Sequence, residues 1–69
     1  MNPDNLIKMA NQIGAFFEAM PNREQAVRDI AAHIQRNWDQ RMRVAMQQHI
    51  SSTGGAGLTP MVKDAFRLV

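Results

Sequence analysis

The sequence predicts an all-α fold: a small helical hairpin or bundle of three to four helices, with a Gly-rich linker before a short C-terminal helix. Three observations carry this. Apolar residues recur at steps of three and four, the period of one helix face. No stretch of strand length alternates apolar and polar residues. Helix punctuation at Pro3, Pro21, Asn22, Asp39, Thr59 and Pro60 falls between the periodic segments.

The first helix follows the stripe Leu6, Ala10, Ile13, Phe17 and Met20, widened by Met9 and Phe16. Ile7 lies off that stripe and is expected at the surface. Pro3 and Asp4 suit the first turn, because proline has no N–H to leave unpaired there and a carboxylate favours the positive helix end. Pro21 stops the helix. Asn22 then caps a second one, and Gln25 three residues on resembles a capping box. Its stripe is Val27, Ile30, Ala31, Ile34 and Trp38, with Glu24–Arg28 and Asp29–His33 spaced as i,i+4 pairs.

Beyond Trp38 the stripe drifts around the axis. Met42, Ala45, Met46, His49 and Ile50 fall well to one side of the earlier line. Either the helix bends or it breaks near Asp39, which then caps a third helix; the break is the preferred reading. Ser51-Ser52-Thr53-Gly54-Gly55-Ala56-Gly57 reads as a flexible linker by composition. Thr59 as N-cap and Pro60 at the first helical position open the last helix, with the stripe Met61 or Val62, Ala65, Phe66 and Val69. The expected organisation is one domain over 1–69: a helical hairpin or bundle over 1–50, a linker over 51–58 and a C-terminal helix over 59–69.

With 69 residues, a chain buries only about 60% of the surface it exposes when unfolded. A partner surface is therefore expected to complete the core. The absence of cysteine excludes a disulfide framework, an iron–sulfur site and a zinc finger. No apolar run reaches the roughly 18 residues of a membrane span, so no membrane association is expected. Asn2-Pro3-Asp4-Asn5 is unlike a basic segment before an apolar one, and the expected location is cytoplasmic. A net charge of +2 is too weak to indicate a nucleic-acid partner.

Candidate chemistry is sparse. The glycines lack the Gly-Lys-Ser/Thr ending of a phosphate loop and its preceding strand. His33 and His49, sixteen apart, have no further ligands at metal-binding spacing. His33 is placed on the polar face beside Asp29, and His49 nearer the apolar side in a half-buried structural role. The hydroxyls Ser51, Ser52, Thr53 and Thr59 fall in linker or cap positions, without the base and orienting group that nucleophilic catalysis needs. No catalytic, metal or cofactor-binding residue is therefore expected. Arg36, Arg41 and Arg43 crowd around Trp38. They form either a solvated face, with Asp39–Arg43 as an i,i+4 pair, or an interface, since Trp and Arg dominate binding hot spots. Met9, Met20, Met42, Met46 and Met61 lie in or beside the stripes and suit packing, or a surface that moulds to a partner.

The string Leu6-Ile7-Lys8-Met9-Ala10-Asn11-Gln12-Ile13-Gly14-Ala15-Phe16-Phe17 resembles the start of the delta subunit of cytoplasmic NAD-dependent formate dehydrogenases. Ala31-Ala32-His33-Ile34, Trp38 with Arg41-Met42-Arg43, and Gly57-Leu58-Thr59-Pro60 extend the resemblance from about Asn5 to Leu68. The family often places an aromatic residue before the Trp and a proline two after it. Here Asn37 and Gln40 stand there, which keeps a bent continuous helix open beside the break.

The resemblance implies a small non-catalytic accessory subunit that binds the catalytic alpha subunit and supports assembly, cofactor insertion or stability. It implies that the alpha subunit carries a molybdenum or tungsten bis-pterin guanine dinucleotide centre and iron–sulfur clusters. The beta and gamma subunits would carry FMN, NAD and further clusters. The expected interface residues are Phe16, Phe17, Trp38, Arg41, Met42 and Arg43, and self-association of the isolated chain through the same surface is a further expectation. The alternatives are a transient maturation chaperone for the pterin enzyme, and a small nucleic-acid binder using Arg36, Arg41 and Arg43.

Overall fold

A computed structural model describes residues 2–69. Four helices follow one another: α1 (Pro3–Phe17), α2 (Arg23–Asn37), α3 (Gln40–Thr53) and α4 (Pro60–Phe66). Each begins where a side chain can satisfy an orphan backbone N–H. Asn2, Asn22, Asp39 and Thr59 accept from the N–H groups of Asp4, Gln25, Met42 and Val62 respectively. The capping box at Asn22 is half formed: the Gln25 side chain turns outward, donating to Asp29 and accepting from Arg28.

The chain does break between α2 and α3. Trp38 closes α2, with its N–H on the Ile34 carbonyl at 2.9 Å, and Asp39 opens α3. No bent continuous helix spans this point. Replacing Asp39 with alanine is expected to lower stability by about 1 kcal/mol, whereas asparagine should retain most of the cap. A shifted urea midpoint at unchanged slope would show this.

Three expected boundaries move. α1 ends at Phe17, before Met20, and the chain turns there with the Met20 N–H on the Phe17 carbonyl. α3 runs on through Ser51, Ser52 and Thr53, which were expected in the linker. The hydroxyls of Ser52 and Thr53 donate back to helix carbonyls, and the left-handed Gly54 ends the helix with its N–H on Ile50 O. The remaining loop is tied rather than loose. Thr53 Oγ1 accepts from the N–H groups of Gly55 and Ala56, and His49 Nε2 lies 2.8 Å from Ala56 O. α4 occupies 60–66 only, inside the expected 59–69.

Packing centres on α1, which touches the other three helices, and α4 lies against both α1 and α2. The core joins Leu6 and Ala10 of α1, Val27, Ile30, Ala31 and Ile34 of α2, Trp38, Met46 of α3, Leu58, and Val62, Ala65 and Phe66 of α4. The radius of gyration, 10.9 Å, matches the roughly 11 Å of a compact chain of this length. Gly14 is buried, and a Cβ there would stand 2.5 Å from Val62 Cγ2, so its missing side chain lets α4 approach α1. Asn11 secures the approach from both sides. Its amide donates to Gly57 O at 2.9 Å and accepts from Thr59 N–H at 3.2 Å. Ile7, expected at the surface, is instead half-buried and packs against the core beside Gly57.

Two of the i,i+4 ion pairs read from the sequence are replaced by other contacts. Asp29 accepts from Gln25, and Arg28 donates to Gln25 instead of reaching Glu24. Asp64 instead anchors α4, with Arg23 at 2.9 Å on the solvent-facing rim. At that exposure the pair contributes at most about 1 kcal/mol.

Candidate functional site

The buried line on α1 runs Leu6, Ala10, Gly14, in steps of four. The small residues Ala10 and Gly14 draw the neighbouring helices to that side. The helix is thereby rotated away from the Ile13–Phe17–Met20 line, and its aromatic edge faces outward. Met9, Gln12, Ile13, Phe16 and Phe17, with His33 from α2, line an open apolar groove of about 410 Å³. Phe16 forms its lip and is 79% exposed, with its ring edge-on to Phe17 at 5.1 Å. Phe17 meets the His33 imidazole at 6.3 Å. His33 is therefore a half-buried groove wall, not a polar-face partner of Asp29.

The expected Trp38–Arg cluster separates into different roles. Trp38 is 4% exposed, and its indole packs on Phe66 with ring centroids 5.7 Å apart. It is a core residue and offers no surface to a partner. Arg43 is half-buried and donates from one guanidinium nitrogen to the carbonyls of Gln35 and Trp38, both at 3.1 Å. It ties down the C-terminal carbonyls of α2 rather than pairing with Asp39. Met42 is half-buried against the core, while Arg41 is exposed. Of the six expected interface residues, the structure brings Phe16 and Phe17 together in one groove and leaves Arg41 open on α3.

Sequence reasoning missed Gln12 and His33 as groove walls. The available signal was the position of His33 at the edge of the Ile30–Ile34 stripe, where a side chain can reach α1. Several other polar groups hold backbone. His49 and Thr53 fix the loop after α3, and Gln47 donates to Phe66 O to finish α4. Among the described residues no three His, Asp or Glu side chains converge as a metal site, and no helix is long and apolar enough to cross a membrane.

The family model described as NADH-dependent formate dehydrogenase delta subunit, FdsD, matches residues 5–66. The chain belongs to this delta-subunit family. The match runs from the first turn of α1 to the last residue of α4, so it takes in all four helices and both caps of the α2–α3 break. The FdsD family name places its members in a multi-subunit, NADH-dependent formate dehydrogenase complex. No curated protein and no solved structure matches the chain.

Proposed function

We propose that this FdsD chain is a non-catalytic accessory subunit that docks on the catalytic alpha subunit and supports assembly, cofactor insertion or stability of the enzyme. The observation that carries the reading is the α1 groove with Phe16 standing 79% exposed at its lip. A small helical domain with an open aromatic edge is suited to a helix-in-groove contact, and burying such a ring against a partner is the usual form of a hot spot. In this reading the molybdenum or tungsten bis-pterin centre, the iron–sulfur clusters, FMN and NAD belong to the alpha, beta and gamma subunits. The complex works in the cytoplasm.

The test is co-expression with a tagged catalytic subunit. The wild-type chain should be recovered in a fixed subunit ratio with active enzyme, which separates a resident subunit from a transient chaperone. Phe16→Ser should weaken recovery by an amount matching about 2 kcal/mol, while the isolated variant melts like wild type. Undiminished recovery and formate oxidation with Phe16→Ser would remove the groove from the interface.

A further inference from the structure

α3 is the least engaged of the long helices. It packs principally on α1, and of its 14 residues only Met46 is buried. On the side away from Met46, Gln40, Arg41, Val44, Ala45 and Gln48 line a second open groove of about 420 Å³. Val44 is its exposed apolar side chain, 45% exposed.

The charge on this helix is one-sided. α3 contains Arg41 and Arg43 and no carboxylate. The chain has eight Lys and Arg against six Asp and Glu, so outside α3 the charges balance and the net +2 resides on this helix. Arg43 is committed to the carbonyls of Gln35 and Trp38. The Asp39 carboxylate is turned onto the Met42 N–H. Among the described residues no carboxylate lies within ion-pair distance of Arg41; the ion pairs formed are those of Asp64 with Arg23 and Arg67. The groove thus offers an apolar wall, a free guanidinium and two amides, near the positive end of the helix.

We propose that this outward face of α3 is a second docking surface, fitted to a helix of the catalytic subunit that carries carboxylates beside a small apolar side chain. The proposal rests on the docked-subunit reading above. Charge complementarity selects the occupant. A second copy of the chain would set Arg41 against the same cationic face, because an isologous contact pairs a patch with itself, and like charges across an interface are unfavourable. Nucleic acid would find one free cation beside an apolar wall, too few phosphate contacts to hold it at physiological salt. Apolar surface beside charged and hydrogen-bonding groups suits a protein–protein contact.

The experiment measures association of the full-length chain with formate dehydrogenase purified without this subunit, across a salt series. Wild type should associate faster at low salt. Arg41→Glu should slow association about tenfold at low salt and flatten the salt dependence, as loss of a rim charge does. Arg41→Gln should fall between, and Lys63→Glu on α4 should behave as wild type. Arg41 is exposed, so unchanged circular dichroism should accompany every variant. Wild-type kinetics from Arg41→Glu, or an equal loss from Lys63→Glu, would overturn the α3 surface while leaving the docked-subunit reading intact. Failure of the wild-type chain to associate at all would overturn both. Tighter binding of wild type to a DNA or RNA oligonucleotide than to the enzyme would overturn the choice of partner.

Discussion

Trp38→Ala is expected to leave most of the isolated chain unfolded at 25 °C. The indole is buried at the end of α2, packed at a tilt on Phe66 of α4 with ring centroids 5.7 Å apart. Truncating a buried Trp costs about 3–5 kcal/mol, from lost transfer energy and from the cavity left behind. A single core in a chain this small rarely supplies more than about 3–5 kcal/mol in total. The carbonyls of Trp38 and Gln35 would also lose their fixed position beneath Arg43. Trp38→Phe keeps a ring against Phe66 and should retain a cooperative, weaker transition. Urea unfolding followed by circular dichroism separates the two variants. A Trp38→Ala chain that folds with a wild-type midpoint would show that the core does not depend on the indole. A loss of partner binding in this variant would follow from unfolding and would not mark Trp38 as a contact residue.

Gly14→Leu should be comparably damaging for the opposite reason. A Cβ at this position already stands 2.5 Å from Val62 Cγ2, and Val62 is 0% exposed with a branched, stiff side chain. Accommodating a whole isobutyl group requires α4 to move off α1, which would also strain both Asn11 hydrogen bonds to the 57–59 segment. Overpacking of this kind costs roughly 1–3 kcal/mol, and more where the neighbours cannot shift. Gly14→Ala sets two effects against each other. Alanine gains up to about 1 kcal/mol of helix propensity, but the contact is with a rigid, enclosed partner. The clash should therefore win, giving a net loss on thermal unfolding. A stabilised Gly14→Ala variant would mean that α4 can retreat at little cost.

Local signals were legible in the sequence. The caps at Asn22, Asp39 and Thr59, the stop near Pro21 and the break after Trp38 are all set by residues within a few positions of one another, so their reasons can be read along the chain. Periodicity places Trp38 on the apolar stripe of α2, but what covers it could not be read in this way. The cover is Phe66, which lies 28 positions further along the chain. Asn11 and Gly14 looked like ordinary helix residues because their partners, Gly57, Thr59 and Val62, lie more than 40 positions away. Periodicity marks which face is apolar but not which helix covers it, and this is why the α1 stripe was placed about one residue step from the line that is buried. The same limit applies to the candidate surface. Phe16 and Phe17 were read from composition and resemblance, whereas Val44 and Gln48 emerge only once Met46 is seen to point the other way. Ser51-Ser52-Thr53 misled by composition, because the Ser52 and Thr53 hydroxyls turn back onto helix carbonyls and the helix runs on to Thr53.

The placement of α1 against α4 has a consequence for biosynthesis. Part of the inner face of α1, at Asn11 and Gly14, is met by Thr59 and Val62, which are synthesised more than 40 residues later. Until those residues are made, the Gly14 side of α1 lies as open as the Phe16 edge. A nascent chain, or one that stops short of α4, therefore presents an amphipathic helix with its α4-facing side uncovered, vulnerable to aggregation and to proteases. Early capture of that segment by a co-synthesised protein would protect it.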